Sequence, residues 1–389
     1  MKRRNFIRIA GGGVVLAAAT LTGCAQPTPA EAIEAWQSAP READPRRWVI
    51  SHAILAPNAH NLQSWLVDLG TPDEIVLRCD LKRLLPETDP FSRQIMMSQG
   101  TFLELLDLAA RERGLRADIE LFPRGVSAPT DQLDGRAIAR IRLTADPSVK
   151  KDPLFAQILN RRTNRSAYDP SRPVPAQAWK AMAEAAVANA ATPLRFGWAG
   201  TEQAELLKRH RDIAIEAWRI ELTTERTVLE SYKVLRVGAA EIAQHRDGVS
   251  LLDPLPVLMN RLGLLDRTHA PAPGEFALKA QVDGFNKKIA STPGFLWLIT
   301  DTNDRATQVA AGRAYARVQL AATAHGVSMH PLQQALQEYP EQVGPHTAIR
   351  GLLGAVQPAH TVQMWARVGF APEVSPAPRR GLAAHMTMA

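Results

Sequence analysis

The residues of this chain best suited to chemistry sit in a few short stretches. The first reads Ala56, Pro57, Asn58, Ala59, His60, Asn61, Leu62, Gln63, Ser64, Trp65, with three carboxamides just ahead of an apolar run. An amide both donates and accepts, so it can read a ring edge on which donors and acceptors alternate. The same residue types also make polar turns that cap hairpins. The second stretch is Asn160, Arg161, Arg162, Thr163, Asn164, Arg165, followed by Tyr168 and Asp169. A guanidinium fork binds phosphate bidentately, although a basic helix end whose arginines satisfy the last carbonyls has the same look. Two further stretches are Gly326 to Gln333, after an Ala-rich segment, and the C-terminal run from Arg367 to Arg379 and Arg380.

Other chemistries lack their signatures. The sequence after residue 24 holds no glycine-rich phosphate loop, HExxH, CxxC or GxSxG. His325 and His330 are five apart, off a common helical face, so a metal pair is not expected. No RRM, zinc-finger or homeodomain pattern occurs.

The elements that must position these stretches can be read from pattern. At 389 residues, with 46% hydrophobic and 22% charged, the chain can bury an extensive core. Asp44 and Pro45 start a helix that ends near Pro57. Residues 65–69 and 75–79 alternate around Gly70 to Asp73 as a hairpin. Asp89 and Pro90 open a helix running to Arg113, closed by Gly114, and strands follow at 117–122 and 137–143. Helices are expected at 153–160, 176–190 and 202–236, an irregular covering segment at 237–290, a buried strand at 295–300, a helix over 304–325 and a strand at 361–369. Strands and helices intersperse without strict βαβ alternation, which argues α+β.

The start of the chain reads as an address. Lys2, Arg3, Arg4 and Arg8 precede an apolar run, Ile9 to Leu21, too short to span a bilayer. Arg3 to Arg8 resembles a twin-arginine export signal, with Lys2 in place of the usual Ser or Thr. Leu21, Thr22, Gly23, Cys24 resembles a bacterial lipobox, in which the Cys24 thiol accepts a lipid. The expectation is a signal over 1–23 and an Ala/Pro/Glu-rich tether over 24–43. The protein would be exported folded and lipid-anchored in the periplasm, with Ala25 favouring the outer membrane. The formal net charge of +7 is largely the signal's: four bases and no acids lie there, leaving +3, so charge makes no case for nucleic acid. Lipidated Cys24 would leave Cys79 as the only free thiol, with no intramolecular disulfide.

The 56–65 loop resembles the A-P-S-x-x-N-x-Q-P-W loop of the nitroreductase family of FMN proteins: Pro57, Asn61, Gln63 and Trp65 match in register, while Asn58 stands for Ser and Ser64 for Pro. Residues 161–165 resemble the family's R-R-S-x-R segment, 326–333 its G-L-G-x-x-P loop, and 367–380 its closing strand and basic tail. The resemblance implies an α+β, nitroreductase-like fold with a mixed sheet flanked by helices. It assigns non-covalent FMN to Pro57, Asn58, Asn61, Gln63, Arg161, Arg162, Thr163, Arg165, Pro331, Leu332, Gln333, Arg379 and Arg380, with backbone amides near 331–333 facing the flavin N5. The Asn/Gln loop precedes the arginine segment by a hundred residues, the reverse of single-domain members. That order resembles the long Acg-like subgroup, in which two degenerate halves, here 44–150 and 151–389 with an insertion at 237–290, mimic the family homodimer. The implied activity is flavin-mediated electron transfer to a small aromatic or quinone-like acceptor, with no side chain nominated as acid or base. NAD(P)H or a periplasmic reductase would be the donor. A flavin-sequestering protein closed by the 237–290 segment is the alternative.

Overall fold

A computed structural model describes residues 27–38, 42–188, 192–356 and 358–387. The expected signal and Cys24 lie outside the described residues. The helices are α1 (Ala35–Ser38), α2 (Pro45–Ala53), α3 (Arg93–Glu112), α4 (Ala176–Val187), α5 (Ala204–Thr223), α6 (Glu225–Lys233), α7 (Gly238–His245), α8 (Pro254–Arg261), α9 (Phe276–Ala290), α10 (Arg305–Ala324) and α11 (Val343–Leu352). The strands are β1 (Trp65–Asp68), β2 (Glu74–Cys79), β3 (Leu115–Leu121), β4 (Ala137–Ala145), β5 (Leu194–Ala199), β6 (Leu235–Val237), β7 (Val249–Leu251), β8 (Gly294–Thr300), β9 (Ser328–Pro331) and β10 (Thr361–Gly369).

The mixed pairing expected of the sheet is distributed over three sheets. Two four-stranded sheets, β1-β2-β4-β3 and β5-β8-β10-β9, are antiparallel throughout. The parallel pair, β6-β7, forms a separate ribbon. The two large sheets share one plan. Each has two strands, a 20-residue helix (α3 or α10), an edge strand, and a last strand that returns to the sheet interior. They differ in one connection. A short turn links β1 to β2, whereas 200–293 separate β5 from β8 and carry α5 to α9.

Within that connection, 237–290 is not irregular: α7, α8, α9 and the β6-β7 ribbon occupy much of it. Pro254 and Pro256 sit in the first turn of α8, where a missing N–H costs nothing, so they start a helix instead of breaking one. The expected single helix over 202–236 is two, divided at Thr224, whose extended backbone (ψ 108°) interrupts the ladder. The helix opened by Asp89 begins at Arg93, and the Asp89 carboxylate reaches forward to accept from the Gln94 and Ile95 N–H groups at 3.1 and 3.0 Å.

Helices α3 and α10 cross at the centre of the molecule. Each carries a glycine at the crossing. A Cβ on Gly100 would lie 2.0 Å from the Val309 carbonyl oxygen, and one on Gly312 would lie 2.0 Å from that of Met97. Polar groups lock the crossing. Fully buried Glu104 accepts from Arg313 at 2.7 Å and Arg317 at 2.9 Å, while Asp107 and Asp152 take the other guanidinium ends at 3.0 and 2.8 Å. The Arg367 to Thr387 tail leaves the second sheet and returns to the first. Thr387 N–H donates to Val67 O at 2.9 Å and the His385 ring meets Trp65 O at 3.1 Å.

Candidate functional site

The 57–65 loop is built on strained backbone. His60, Asn61 and Gln63 have φ of 45°, 56° and 55°, a left-handed region costing non-glycine residues roughly 1–2 kcal/mol apiece. Local bonds hold it. Asn58 donates to Ala56 O at 3.0 Å and accepts from Gln63 N–H at 2.8 Å, and Ala59 N–H donates to Ser98 Oγ at 3.0 Å. Pro57 contributes its carbonyl, which accepts from Thr101 Oγ1 at 2.6 Å.

The carboxamides of Asn61 and Gln63 are already engaged by protein. Asn61 Nδ2 donates to Gly248 O (3.2 Å) and Pro378 O (3.0 Å), and its Oδ1 accepts from Arg379. Gln63 Nε2 donates to Arg246 O at 2.9 Å, and its Oε1 accepts from Arg380 N–H at 2.9 Å. The two amides therefore stitch the loop to the inserted connection and to the C-terminal tail. Arg379 is equally spent: Ile54, Leu55, Ala56 and Pro378 carbonyls and Asn61 take its N–H groups. It clamps the end of α2 instead of presenting a free fork. Arg380 Nη2 donates to Gln63 O at 2.6 Å.

The arginine segment divides. Buried Arg161 donates to Leu55 O at 3.0 Å and Gln319 Oε1 at 3.2 Å, and burial lowers its pKa to about 10. Arg162 donates to the carbonyls of Leu159 and Arg161, both at 2.8 Å. The Trp36 ring lies against Arg161, Arg162 and Arg379, 4.9 to 5.6 Å from their guanidinium carbons. Thr163 Oγ1 is 3.5 Å from Gln319 Nε2. Arg165 is the different one. Its side chain is exposed and donates no hydrogen bond to a described residue, yet surrounding protein desolvates it enough to lower its pKa. Protein thus walls an arginine that remains open to solvent.

Its wall can be named. The charge of Arg165 is felt at His60, on the Asn/Gln loop, and at His330, on β9, as well as at Tyr168, Tyr315 and Lys288. Arg165 thus stands where the Asn/Gln loop meets the arginine segment and β9. Arg367, fully buried, donates through Nε to His330 Nδ1 at 3.0 Å and through Nη2 to Ser166 O at 2.8 Å, with its guanidinium 4.1 Å from the Tyr168 ring centre. Burial, with Arg165 beside it, lowers the His60 pKa to about 4. Burial and the nearby cations put His330 well below its usual value. Both imidazoles are neutral at pH 7, which frees His330 Nδ1 to accept from Arg367. Burial raises the Tyr315 hydroxyl pKa, so it stays a donor.

Three buried polar atoms near Arg165 have no partner among the described residues: His60 Nδ1, Arg161 Nε and Tyr315 Oη. Gln333 Oε1, beside Gln363, and Arg380 Nε, beside Gln63, are unpartnered elsewhere. A native interior pairs nearly all such atoms. The first three, with exposed Arg165 and Lys288, suit an anionic ligand with polar ring edges. The 331–333 stretch contributes less than expected from its backbone. Pro331 has no N–H, and the Leu332 N–H donates to Trp365 O at 2.8 Å within the sheet. Gln333 Nε2 bonds the Gln363 carbonyl at 3.3 Å and leaves its Oε1 open. His60 and His330 lie inside the stretches singled out by sequence, but Tyr315, Lys288 and Trp36 carry no local signal there. Among the described residues no cluster of His, Cys, Asp or Glu could hold a metal. Cys79 is buried, which raises its pKa to about 12 and makes it a poor nucleophile.

No protein-family model matches the chain. It is 28% identical over 348 residues to "Putative NAD(P)H nitroreductase Rv3131" of Mycobacterium tuberculosis H37Rv, covering 88% of this chain and 90% of that one, and equally to its counterpart MT3217 in strain CDC 1551. Among solved structures it is similar to the FMN-dependent nitroreductase NfnB of Mycobacterium smegmatis in complex with NADPH, at 18% identity over 60% of this chain and 96% of that one. The TM-score is 0.38, a loose global superposition. A nitroreductase with bound FMN from Desulfitobacterium hafniense is similar at 12% identity, 61% and 98% coverage and TM-score 0.36.

Proposed function

We propose that the chain is an FMN-dependent oxidoreductase of nitroreductase type. The observation that carries this reading is exposed Arg165, with no hydrogen-bond partner among the described residues, near exposed Lys288 and the unpartnered polar atoms of His60, Arg161 and Tyr315. The 28% identity over most of both chains to a relative named as a nitroreductase supports it. Arg165, Lys288 and the Arg161 Nε are the groups to balance a phosphate, with Thr163 at its side. His60 and Tyr315 are the ones to meet polar ring edges. Bound FMN would supply two-electron transfer between NAD(P)H, or a periplasmic reductase, and a nitroaromatic or quinone-like acceptor. The chain's own part is to hold, orient and desolvate, with neutral imidazoles adding no competing charge. Export through a twin-arginine signal and anchoring at Cys24 complete the proposal.

A second reading, a flavin-sequestering protein, is favoured by one observation. The inserted connection is tied to the loop through Gly248 O on Asn61 and Arg246 O on Gln63, so its ribbon lies against the site. The test is a visible spectrum of the chain from Ala25 onward, then anaerobic NADPH. Yellow protein bleached by NADPH supports turnover. Yellow protein inert to NADPH and NADH favours sequestration, and protein that stays colourless with added FMN overturns both. Arg165→Ala should weaken FMN binding about tenfold or more by equilibrium dialysis.

A further inference from the structure

Exposed large apolar side chains are scattered over most of the molecule, and among the described residues the inserted connection carries four. Leu258, Leu262, Leu264 and Phe276, at 36, 57, 46 and 54% exposure, lie on or beside α8 and at the start of α9, all within the inserted connection. Leu258 and Leu262 are one helical turn apart, on one face of α8 and its C-cap. Gly263, at φ 66°, ends the helix, and Leu264 N–H folds back to Met259 O at 2.8 Å, which keeps the third leucine at the same helix end. Arg261 is exposed between them.

The N-terminal tether enters the molecule at this same connection. The turn Ala30–Ala32 packs on α7, Glu34 lies 3.7 Å from Arg246, and α7 and α8 both pack on β6. Five residues separate Cys24 from Ala30, a reach of at most about 20 Å over the six Cα steps. A lipid on Cys24 would therefore hold the inserted connection close to a bilayer.

We propose that the leucine-bearing end of α8, with Leu258, Leu262 and Leu264, is a membrane-contacting surface that inserts into the interfacial layer of an acidic lipid leaflet. Its occupant is lipid, because the short tether brings this face to the membrane and Arg261 complements anionic headgroups. The choice of lipid as occupant rests on the lipidation of Cys24 in the proposed function; vesicle binding by residues 25–389 reads the surface without the anchor, so the two fail separately.

The measurement is co-sedimentation of residues 25–389, which keep every described element, with phosphatidylcholine vesicles containing about a quarter phosphatidylglycerol. The expected result is binding that falls about thirtyfold or more in Leu258→Ser/Leu262→Ser/Leu264→Ser, each exposed leucine giving roughly threefold to tenfold. The single Leu262→Ser variant, the most exposed of the three, reads the effect should the triple variant fold poorly. Absence of vesicle binding, or binding indifferent to these substitutions, overturns the proposal. So does light scattering that shows a dimer dissolved by the same substitutions, which would give the patch to a second copy. Labelled palmitate incorporation, lost in Cys24→Ser, tests the anchor independently.

Discussion

The two large sheets share a strand order, yet the first buries one face and the second buries both. In the first, β2 alternates strictly between buried and half-buried residues. The outward side chains pair as ions across the strands, Arg142 with Glu74 at 2.8 Å and Arg140 with Glu120 at 2.5 Å. Its inner face packs on α2 and α3 through Trp65, Ile75, Leu77, Ile138 and Ile141. In the second, β8 and β10 are buried almost throughout. Leu296, Leu298, Met364 and Ala366 meet α4 and α10 on one side. Phe295, Ile299 and Trp365 meet α5, α9 and α11 on the other. A register shift between Val362 and Met364 sets Val362 and Trp365 in the same cluster. One inserted connection converts a half-wet sheet into a covered one, and it supplies Lys288, Arg246 and Gly248 to the site. The lesson is that the same plan can serve as scaffold on one side and as enclosure on the other.

The strongest way to break this arrangement is to loosen the crossing of α3 and α10, the long helices of the two sheets. Glu104→Ala would leave Arg313 and Arg317 facing each other without their shared carboxylate, and a loss of about 3–5 kcal/mol is expected by denaturant unfolding. Covering predicts a contrast next. Trp365→Ala, beneath the inserted helices, should cost about 3–5 kcal/mol, whereas Arg140→Ala, on the outward face of the first sheet, should cost roughly 0–1 kcal/mol and less in high salt. Equal losses at the two positions would erase the distinction between the sheets.

Acid should act on the covered side. His210 lies buried between Phe295 and Trp297, accepting from Trp365 Nε1 at 3.1 Å, and burial lowers its pKa to about 3. The unfolded state binds the proton first, so the stability from neutral His210 is complete above the unfolded pKa of about 6.5. It is lost as pH falls towards about 3, with a slope of about 1.4 kcal/mol per unit. A pH series of denaturant midpoints checks this, and His210→Phe should flatten the slope over that window.

Much of the scaffold was legible before any coordinates. The continuous FLWLIT run predicts a buried strand, and alternation on either side of the Gly-Thr-Pro-Asp turn predicts a hairpin; both are present. The Ala-rich 304–325 helix and the 361–369 strand follow the same periodicities. The inserted helices were less legible, because prolines in a first turn and prolines in a loop look alike in one dimension. The site was legible as a set of segments but not as a set of contacts. Asn61, Gln63, Arg379 and Arg380 have the residue types expected around a flavin, and all four converge in space, but with one another. Which of several arginines keeps free donors depends on the carbonyls nearby, and sequence does not carry that.

The sequence by itself determined the periodicities, the glycines at 100 and 312, and the order in which amide loop and arginine segment follow along the chain. Those are local properties, fixed by side-chain type and spacing. The tertiary structure alone decided that Arg165 stands open while Arg161 and Arg379 are clamped, that Lys288 and Tyr315 join it, and that the insertion closes on the second sheet and carries exposed leucines beside the tether. Such choices depend on which groups meet across hundreds of residues, where burial strips water from each one and a nearby partner either replaces that water or does not.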